Sequence, residues 1–239
     1  MNLKELLADA RLGVDQCAII AGFLYENGFG VARDRKKAIE MFKSAAERGN
    51  AAAAYFLGLL YHSDLFGASE NDAALRWLSK SADSGYPPAQ FMVGLFYEFG
   101  FGTEKNQTRA WEWVERAALA GHVDAISQLG FYCSNGVAHV KDESQAFVWN
   151  ERAAKAGHPG AALAIAQAYA YGRGIRQDDK EALRWFNEAG QRGAPGSELI
   201  LANIYDLGLH GAERDSQKAA YFKKLAYDSL GSEGDEDLC

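Results

Sequence analysis

Glycine returns at a fixed step of 36 residues along this 239-residue chain. Two further series, one of small residues and one mostly of tyrosine, keep the same step at their own offsets. Three series with one period and no slippage indicate a repeat array, so function is expected on a surface that stacked repeats build. The series are Gly13, Gly49, Gly85, Gly121, Gly157, Gly193; Gly22, Gly58, Gly94, Gly130, Ala166, Ala202; and Tyr25, Tyr61, Tyr97, Cys133, Tyr169, Tyr205.

Each repeat is predicted to be a pair of antiparallel helices joined by a short loop. In the second repeat, Leu57, Gly58 and Tyr61 share one face of the first helix, where the glycine lets a neighbouring helix approach closely. Loop glycines supply unusual backbone angles, an N-cap residue opens the second helix, and the periodic glycine closes it. The loop glycines are Gly28, Gly30, Gly100, Gly102, Gly136, Gly172, Gly174 and Gly208, and the N-caps are Asp34, Asn106, Asp142 and Asp178.

The second helices carry an apolar stripe with helical spacing, such as Ala74, Trp77, Leu78 and Ser81 in the second repeat. Four of the five tryptophans occupy one position of this stripe, in successive repeats. A row of aromatic rings could bind a ligand by stacking, but a place inside the stripe favours a structural role in the core. These tryptophans are Trp77, Trp113, Trp149 and Trp185.

The pattern predicts an all-α solenoid of six 36-residue helix-turn-helix repeats. Neither helix of a pair can bury its apolar face alone, so the repeats must stack. Residues 3–13 match the second helix of a repeat, and residues 1–14 are therefore expected to form an N-terminal capping helix. The acidic tail 229–239 is predicted to be disordered. The predicted repeats are 15–50, 51–86, 87–122, 123–158, 159–194 and 195–228.

Composition limits the classes of partner. The formal net charge is −7, and four acidic residues lie in the last nine positions, so the remainder is nearly balanced and has no basic stripe. This argues against nucleic acid. Residues 1–9 are too polar for a signal peptide, and no stretch of 18 uncharged apolar residues suggests a membrane span. The three cysteines form no CxxC pair. We therefore expect a cytosolic monomer.

No motif recommends catalysis, a cofactor or a metal. The sequence contains no G-x-S-x-G, S-x-x-K or H-E-x-x-H motif, and the G-x-G turns lack the third glycine of a dinucleotide-binding motif. His62, His139 and His210 lack ligand-like neighbours, while His122 and His158 share the position after the periodic glycine. We predict no enzyme activity, no cofactor and no metal site.

The third repeat carries, within one unit, a string that resembles the Sel-one-like repeat (SLR) family. The resemblance implies a tetratricopeptide-like right-handed superhelix and a non-enzymatic adaptor that holds protein partners, as in bacterial signalling, envelope, host-interaction and toxin-immunity settings. The cysteine-rich branch of the family, with a disulfide across each helix pair, is a poor match. The string is Ala89, Val93, Gly94, Tyr97, Gly100, Gly102, Asn106, Ala110, Trp113, Ala117, Ala118, Gly121 and His122.

In tetratricopeptide-like stacks the first helix of each pair lines the concave surface. The residue just before the packing glycine, such as Leu57, serves as the reference. The positions two residues before it and two residues after it lie four residues apart and share a face of that helix. They give the first three repeats an apolar and aromatic strip with glutamates at its rim. Either neighbouring helices bury much of this strip, or it is exposed and binds protein. Its residues, called the first-helix strip below, are Ile19, Phe23, Glu26, Tyr55, Leu59, His62, Phe91, Leu95, Glu98 and Phe131.

The sequence therefore predicts a non-catalytic cytosolic scaffold that binds a protein or peptide partner through the concave groove. The partner would lay a helix or an extended segment along the first helices. The alternative is an immunity or inhibitor protein that binds and neutralises a toxin or an enzyme.

Overall fold

The computed structural model describes residues 3–63 and 70–232, with side chains described through residue 228. Every regular element in those ranges is an α-helix, and this confirms the all-α solenoid class. The helices are α1 (Leu3–Arg11), α2 (Asp15–Asn27), α3 (Arg35–Glu47), α4 (Ala51–His62), α5 (Asn71–Asp83), α6 (Pro87–Phe99), α7 (Gln107–Leu119), α8 (Val123–Asn135), α9 (Glu143–Lys155), α10 (Pro159–Tyr171), α11 (Asp179–Gln191), α12 (Ser197–Leu207) and α13 (Ser216–Ser232).

The chain forms two compact units, Met1–His122 and Val123–Cys239. In the first unit each helix from α1 to α6 packs on the next helix in the chain. Helix α1, the predicted capping helix, packs its Leu6 and Leu7 against the core that α2, α3 and α4 share. Successive first helices of this unit also touch: Phe23 on α2 contacts Phe56 on α4, and His62 on α4 contacts Phe96 on α6.

The packing glycines are where the two helices of a pair come closest. A Cβ atom added to Gly94 on α6 would lie 2.6 Å from Cγ2 of Val114 on α7. Val114 is fully buried, so its side chain fits against the bare backbone of the glycine. The same contact recurs 36 residues apart, which explains the second series of the sequence. The pairs in the first unit are Gly22 with Phe42, Gly58 with Leu78, and Gly94 with Val114.

The loop and cap predictions are confirmed. Gly102 has a φ of +61°, and a Cβ atom there would lie 2.5 Å from the backbone carbonyl of Asn71, so the loop of the third repeat rests directly on the start of α5. The Asp34 carboxylate accepts a hydrogen bond of 3.1 Å from the backbone N–H of Lys37. Equivalent caps are Asn106 to Arg109, Asp142 to Gln145, and Asp178 to Glu181.

The four periodic tryptophans are half-buried, and Trp77, Trp113 and Trp185 pack against the core from its edge, so the predicted place inside the core is only partly correct. The fully buried side chain is the next residue, as Leu78 is after Trp77. A cation covers each outer tryptophan face: the Arg116 guanidinium, for example, lies 4.5 Å from the centre of the Trp113 ring. Lys80 on Trp77, Arg152 on Trp149 and Arg184 on Trp185 repeat the arrangement. The tryptophans therefore form a shielded outer layer of the second helices.

The second unit contains α8 to α13, again packed in chain order. Its packing position holds Gly130 on α8, against Asn150 of α9, and alanine at Ala166 and Ala202. A further close approach joins the fifth and sixth repeats, where Gly190 on α11 receives the Leu201 side chain of α12. Helix α13 extends to Ser232, over the first four residues of the predicted tail 229–239. The remainder of that tail, 233–239, lies outside the described residues.

Candidate surface for protein binding

The structure places the first-helix strip on α2, α4, α6 and α8, as the spacing requires, but it buries the strip unevenly. Ile19 is only 9% exposed and belongs to the core, so it is not a surface residue. Phe23 is 37% exposed, and its ring centre lies 5.3 Å from that of Phe42 and 4.6 Å from that of Phe56. Phe23 thus presents one face to solvent from a packed aromatic cluster.

Tyr55 and Phe91 are half-buried, and each pairs with an aromatic ring that sequence reasoning missed. The Tyr55 ring centre is 5.4 Å from that of Tyr86, and the Phe91 ring stacks on His122 at 5.0 Å. Burial, with Tyr86 as a smaller contribution, raises the pKa of Tyr55 above its usual value, so the phenol is neutral at physiological pH. Tyr86 and His122 share the position after the periodic glycine, a signal that the sequence already contained.

The remaining positions of the strip in the first unit are also half-buried. Leu59 and Leu95 lie one helical turn beyond Tyr55 and Phe91. The His62 ring packs against Phe96 and Phe101, and its Nδ1 atom is 2.7 Å from Oδ1 of Asn71.

The two glutamates stand at the far end of the strip. Glu26 accepts a hydrogen bond of 3.4 Å from Arg33, and its side chain is 16% exposed. Glu98 is half-buried at the equivalent position of the third repeat. The strip in the first unit is therefore an apolar and aromatic surface with carboxylates along one edge.

Phe131 stands apart from the other strip residues because it lies on α8 in the second unit. It is 52% exposed and contacts Tyr132, which is fully buried. It occupies the predicted position on its helix.

Two kinds of reactive group bear on catalysis, namely clustered metal ligands and cysteine thiols. Within 3–63 and 70–232, no three His, Cys, Asp or Glu side chains are grouped so that they could hold a metal ion. Cys17 and Cys133 are buried free thiols. Burial, and to a smaller extent Asp142, raises the pKa of the Cys133 thiol, which disfavours the nucleophilic thiolate. In the same ranges no helix has the length and apolar character of a membrane span.

The sequence profile of the Sel1 repeat matches this chain at residues 10–50, 51–86, 87–122, 123–158, 159–193 and 196–229. The chain belongs to the Sel1 repeat family. This confirms the resemblance drawn from the third-repeat string, and Sel1 repeat proteins generally mediate protein–protein interactions. No curated protein sequence matches the chain.

Solved structures share the fold of this Sel1 repeat protein. A Sel1 repeat protein from Oxalobacter formigenes is 30% identical with a TM-score of 0.80, over 89% of this chain and 84% of the other. A protective antigen of uropathogenic Escherichia coli with an SLR fold is 25% identical with a TM-score of 0.84. The match covers 96% of this chain and 49% of the antigen. An immunity protein from Pseudomonas aeruginosa is 17% identical with a TM-score of 0.59, over 90% and 83% of the two chains.

Proposed function

We propose that this Sel1 repeat protein is a non-catalytic scaffold that binds a protein partner on the first-helix strip of its first unit. The observation that carries the proposal is the row of packed but partly exposed aromatic side chains on successive first helices, Phe23, Tyr55 and Phe91. Aromatic anchors in such rows concentrate binding energy because a large ring loses little conformational entropy when it is covered.

The chemistry of the strip favours an amphipathic partner. Its centre of aromatic and leucine side chains would receive an apolar face of the partner, whose polar face would stay in water. The ring pairs Tyr55 with Tyr86 and Phe91 with His122 hold these anchors in place before binding, which lowers the ordering cost of association. A helix or an extended segment of a partner is the expected occupant.

An immunity role is the alternative form of the same activity. In that case the partner is a toxin or an enzyme whose active site the strip covers, and its activity falls as the complex forms. The relative from Pseudomonas aeruginosa carries that name, and its identity of 17% supports a shared fold only. A cytosolic location remains part of the proposal because the composition favours it.

The test is a double substitution, Tyr55→Ala with Phe91→Ala, with partner affinity measured beside thermal unfolding. Loss of two aromatic anchors should weaken binding by roughly 2–4 kcal/mol, or about 30- to 1000-fold. The control, Leu199→Ala with Asn203→Ala, alters the sixth-repeat residues that are equivalent to Tyr55 and Leu59, and Leu199 is 51% exposed. Full binding by a folded Tyr55/Phe91 variant would refute the proposal.

Both rings pack against neighbours, so a second variant guards against loss of the fold. Phe23→Leu removes the ring of a side chain that is 37% exposed but keeps an apolar group against Phe42 and Phe56, so it should weaken binding while unfolding changes less. Unchanged affinity for this variant would exclude the N-terminal part of the strip.

A further inference from the structure

The second unit contains a polar cavity that the scaffold function does not require. It measures about 90 Å³ and lies between α8, α9 and α10, where the fourth and fifth repeats meet. On that scale roughly 10–15 Å³ holds one water molecule, so the cavity has room for a small group of several atoms. Among its lining residues are Ser134, Glu143, Asn150, Gln167 and Arg173.

The cavity exists because the side chains that fill the equivalent place in the first unit are missing. There, His62, Phe96 and Phe101 pack as a triad with ring centres 4.8 to 5.6 Å apart. Two repeats later the same three positions hold Ser134, Ala168 and Arg173. Ala164, which also lines the cavity, stands where the second and third repeats carry Phe56 and Met92. Several independent positions have therefore lost apolar volume at one place.

A polar residue also replaces an apolar one at the centre of the helix pair. Asn150 occupies the position of the buried Phe42, Leu78 and Val114, and its amide packs against the bare backbone of Gly130. Asn150 is half-buried, and an amide at such a position costs stability unless it makes hydrogen bonds. Asn150 and Gln167 thus bring two amide groups to the wall of the cavity.

The charges around the cavity favour an anion. Glu143 is paired with Lys141, whose Nζ lies 2.7 Å from its carboxylate, so Arg173 supplies the net positive charge at the cavity. Arg173 is exposed, and its guanidinium lies 5.2 Å from the centre of the Tyr171 ring at the edge of the cavity. The loop brings Arg173 close because Gly174, with a φ of +68°, packs against the backbone of Glu143. A guanidinium with flanking amide and hydroxyl donors is suited to a planar carboxylate.

We propose that this cavity is a carboxylate-binding site that receives the side chain of a glutamate or aspartate. The source of that side chain, a bound protein partner, rests on the proposed function, whereas the cavity itself does not. Arg173 would pair with the carboxylate, and Asn150 and Gln167 would donate hydrogen bonds from their amide nitrogens.

The experiment titrates the full chain with N-acetyl-glutamate amide and with its neutral isostere, N-acetyl-glutamine amide, by NMR of ¹⁵N-labelled protein. Amide shifts around Ser134, Asn150 and Gln167 should follow the glutamate probe, and the glutamine probe should bind about tenfold more weakly because it lacks the charge. Equal affinities for the two probes, or no shifts at these residues, would overturn the proposal.

A variant that restores the filling of the first unit completes the test. Arg173→Phe reproduces Phe101 of the third repeat, so it should fold, melt no lower than the native protein and bind the glutamate probe at least tenfold more weakly. Should it fail to fold, Arg173→Gln removes the charge at similar size and should show the same loss. Unchanged probe binding in a folded variant would overturn the site.

The partner affinity of the Arg173→Phe variant shows whether a partner side chain is what the cavity binds, separately from whether the cavity binds a carboxylate at all. If Arg173→Phe loses both the probe and the partner, the cavity receives a partner carboxylate as proposed. If it loses the probe and keeps full partner affinity, a partner side chain is not the source, which overturns that part alone. Failure of the Tyr55/Phe91 test leaves the probe titration unaffected.

Discussion

The close approach of α6 to α7 at Gly94 yields a quantitative prediction. A Cβ atom at Gly94 would lie 2.6 Å from Cγ2 of Val114 and 3.2 Å from the carbonyl oxygen of Ala110, whereas carbon atoms normally rest about 3.5–4.0 Å apart. The Val114 side chain must therefore move away by roughly 1 Å. The nearby carbonyl group of Ala110 prevents the new Cβ atom from shifting to the other side. Overpacking of this kind costs about 1–3 kcal/mol, and the better helix propensity of alanine returns roughly 1 kcal/mol. Gly94→Ala should thus destabilise the protein by up to about 2 kcal/mol.

The decisive experiment is a double-mutant cycle with Val114→Ala. Because the new methyl group occupies space that the smaller side chain vacates, the double variant should be more stable than the sum of the single costs by about 1–2 kcal/mol. Urea unfolding followed by circular dichroism supplies each free energy. The control pairs Gly94→Ala with Val140→Ala, a valine that is 91% exposed, and should be additive. Additivity of Gly94→Ala with Val114→Ala, within about 0.5 kcal/mol, would refute the packing argument.

Two further predictions concern stability. Hydrogen bonds from the backbone and side chain of Lys37 hold the pKa of Asp34 below its ordinary value of 3.8. As the pH falls, the unfolded chain therefore takes up a proton at Asp34 before the folded protein does, and the free energy of unfolding decreases below that value. Asp34→Asn should make the free energy of unfolding, measured by urea titration, less dependent on pH in this acid range, and an unaltered slope would contradict the prediction. Deletion of residues 195–239 should lower the melting temperature, because it removes the interface between the fifth and sixth repeats, and an unchanged melting temperature would argue against six coupled repeats.

The fold could be predicted well from the sequence because each repeat carries the same packing and turn residues at the same positions. The periodic glycines, the N-caps and the loop glycines each fix a local backbone geometry, and six copies in register leave little freedom for another arrangement. Gly94 and Val114 are an example: a small residue on one helix and a large one on the next are readable 20 positions apart. Local chemistry of this kind does not depend on distant parts of the chain.

The surface was harder to predict, because exposure depends on what a neighbouring element places over a side chain. Tyr86 and His122 cover Tyr55 and Phe91 from the last position of the same repeat, which lies outside its two helices, so the apolar pattern of the helices does not encode this contact. The tryptophans were assigned to the core for the same reason. A cation three residues after Trp113, at Arg116, was a readable signal that the ring has an outer face.

The cavity was also latent in the sequence. Its position becomes visible only when the fourth and fifth repeats are compared with the third, position by position, at Ser134, Ala164, Ala168 and Arg173. Each substitution alone is unremarkable for a repeat array. Their meeting at one place follows from the way α10 packs against α8 and α9.

The most direct test of the central claim places a photo-crosslinking amino acid at single positions and exposes the protein to lysate of its source organism. We predict that Phe23 and Leu95 on the first-helix strip give an adduct with the same partner, and that Glu112 and Arg116 on the opposite, second-helix side give none. Adducts that form equally from the second-helix positions, or only from them, would contradict binding on the first-helix strip.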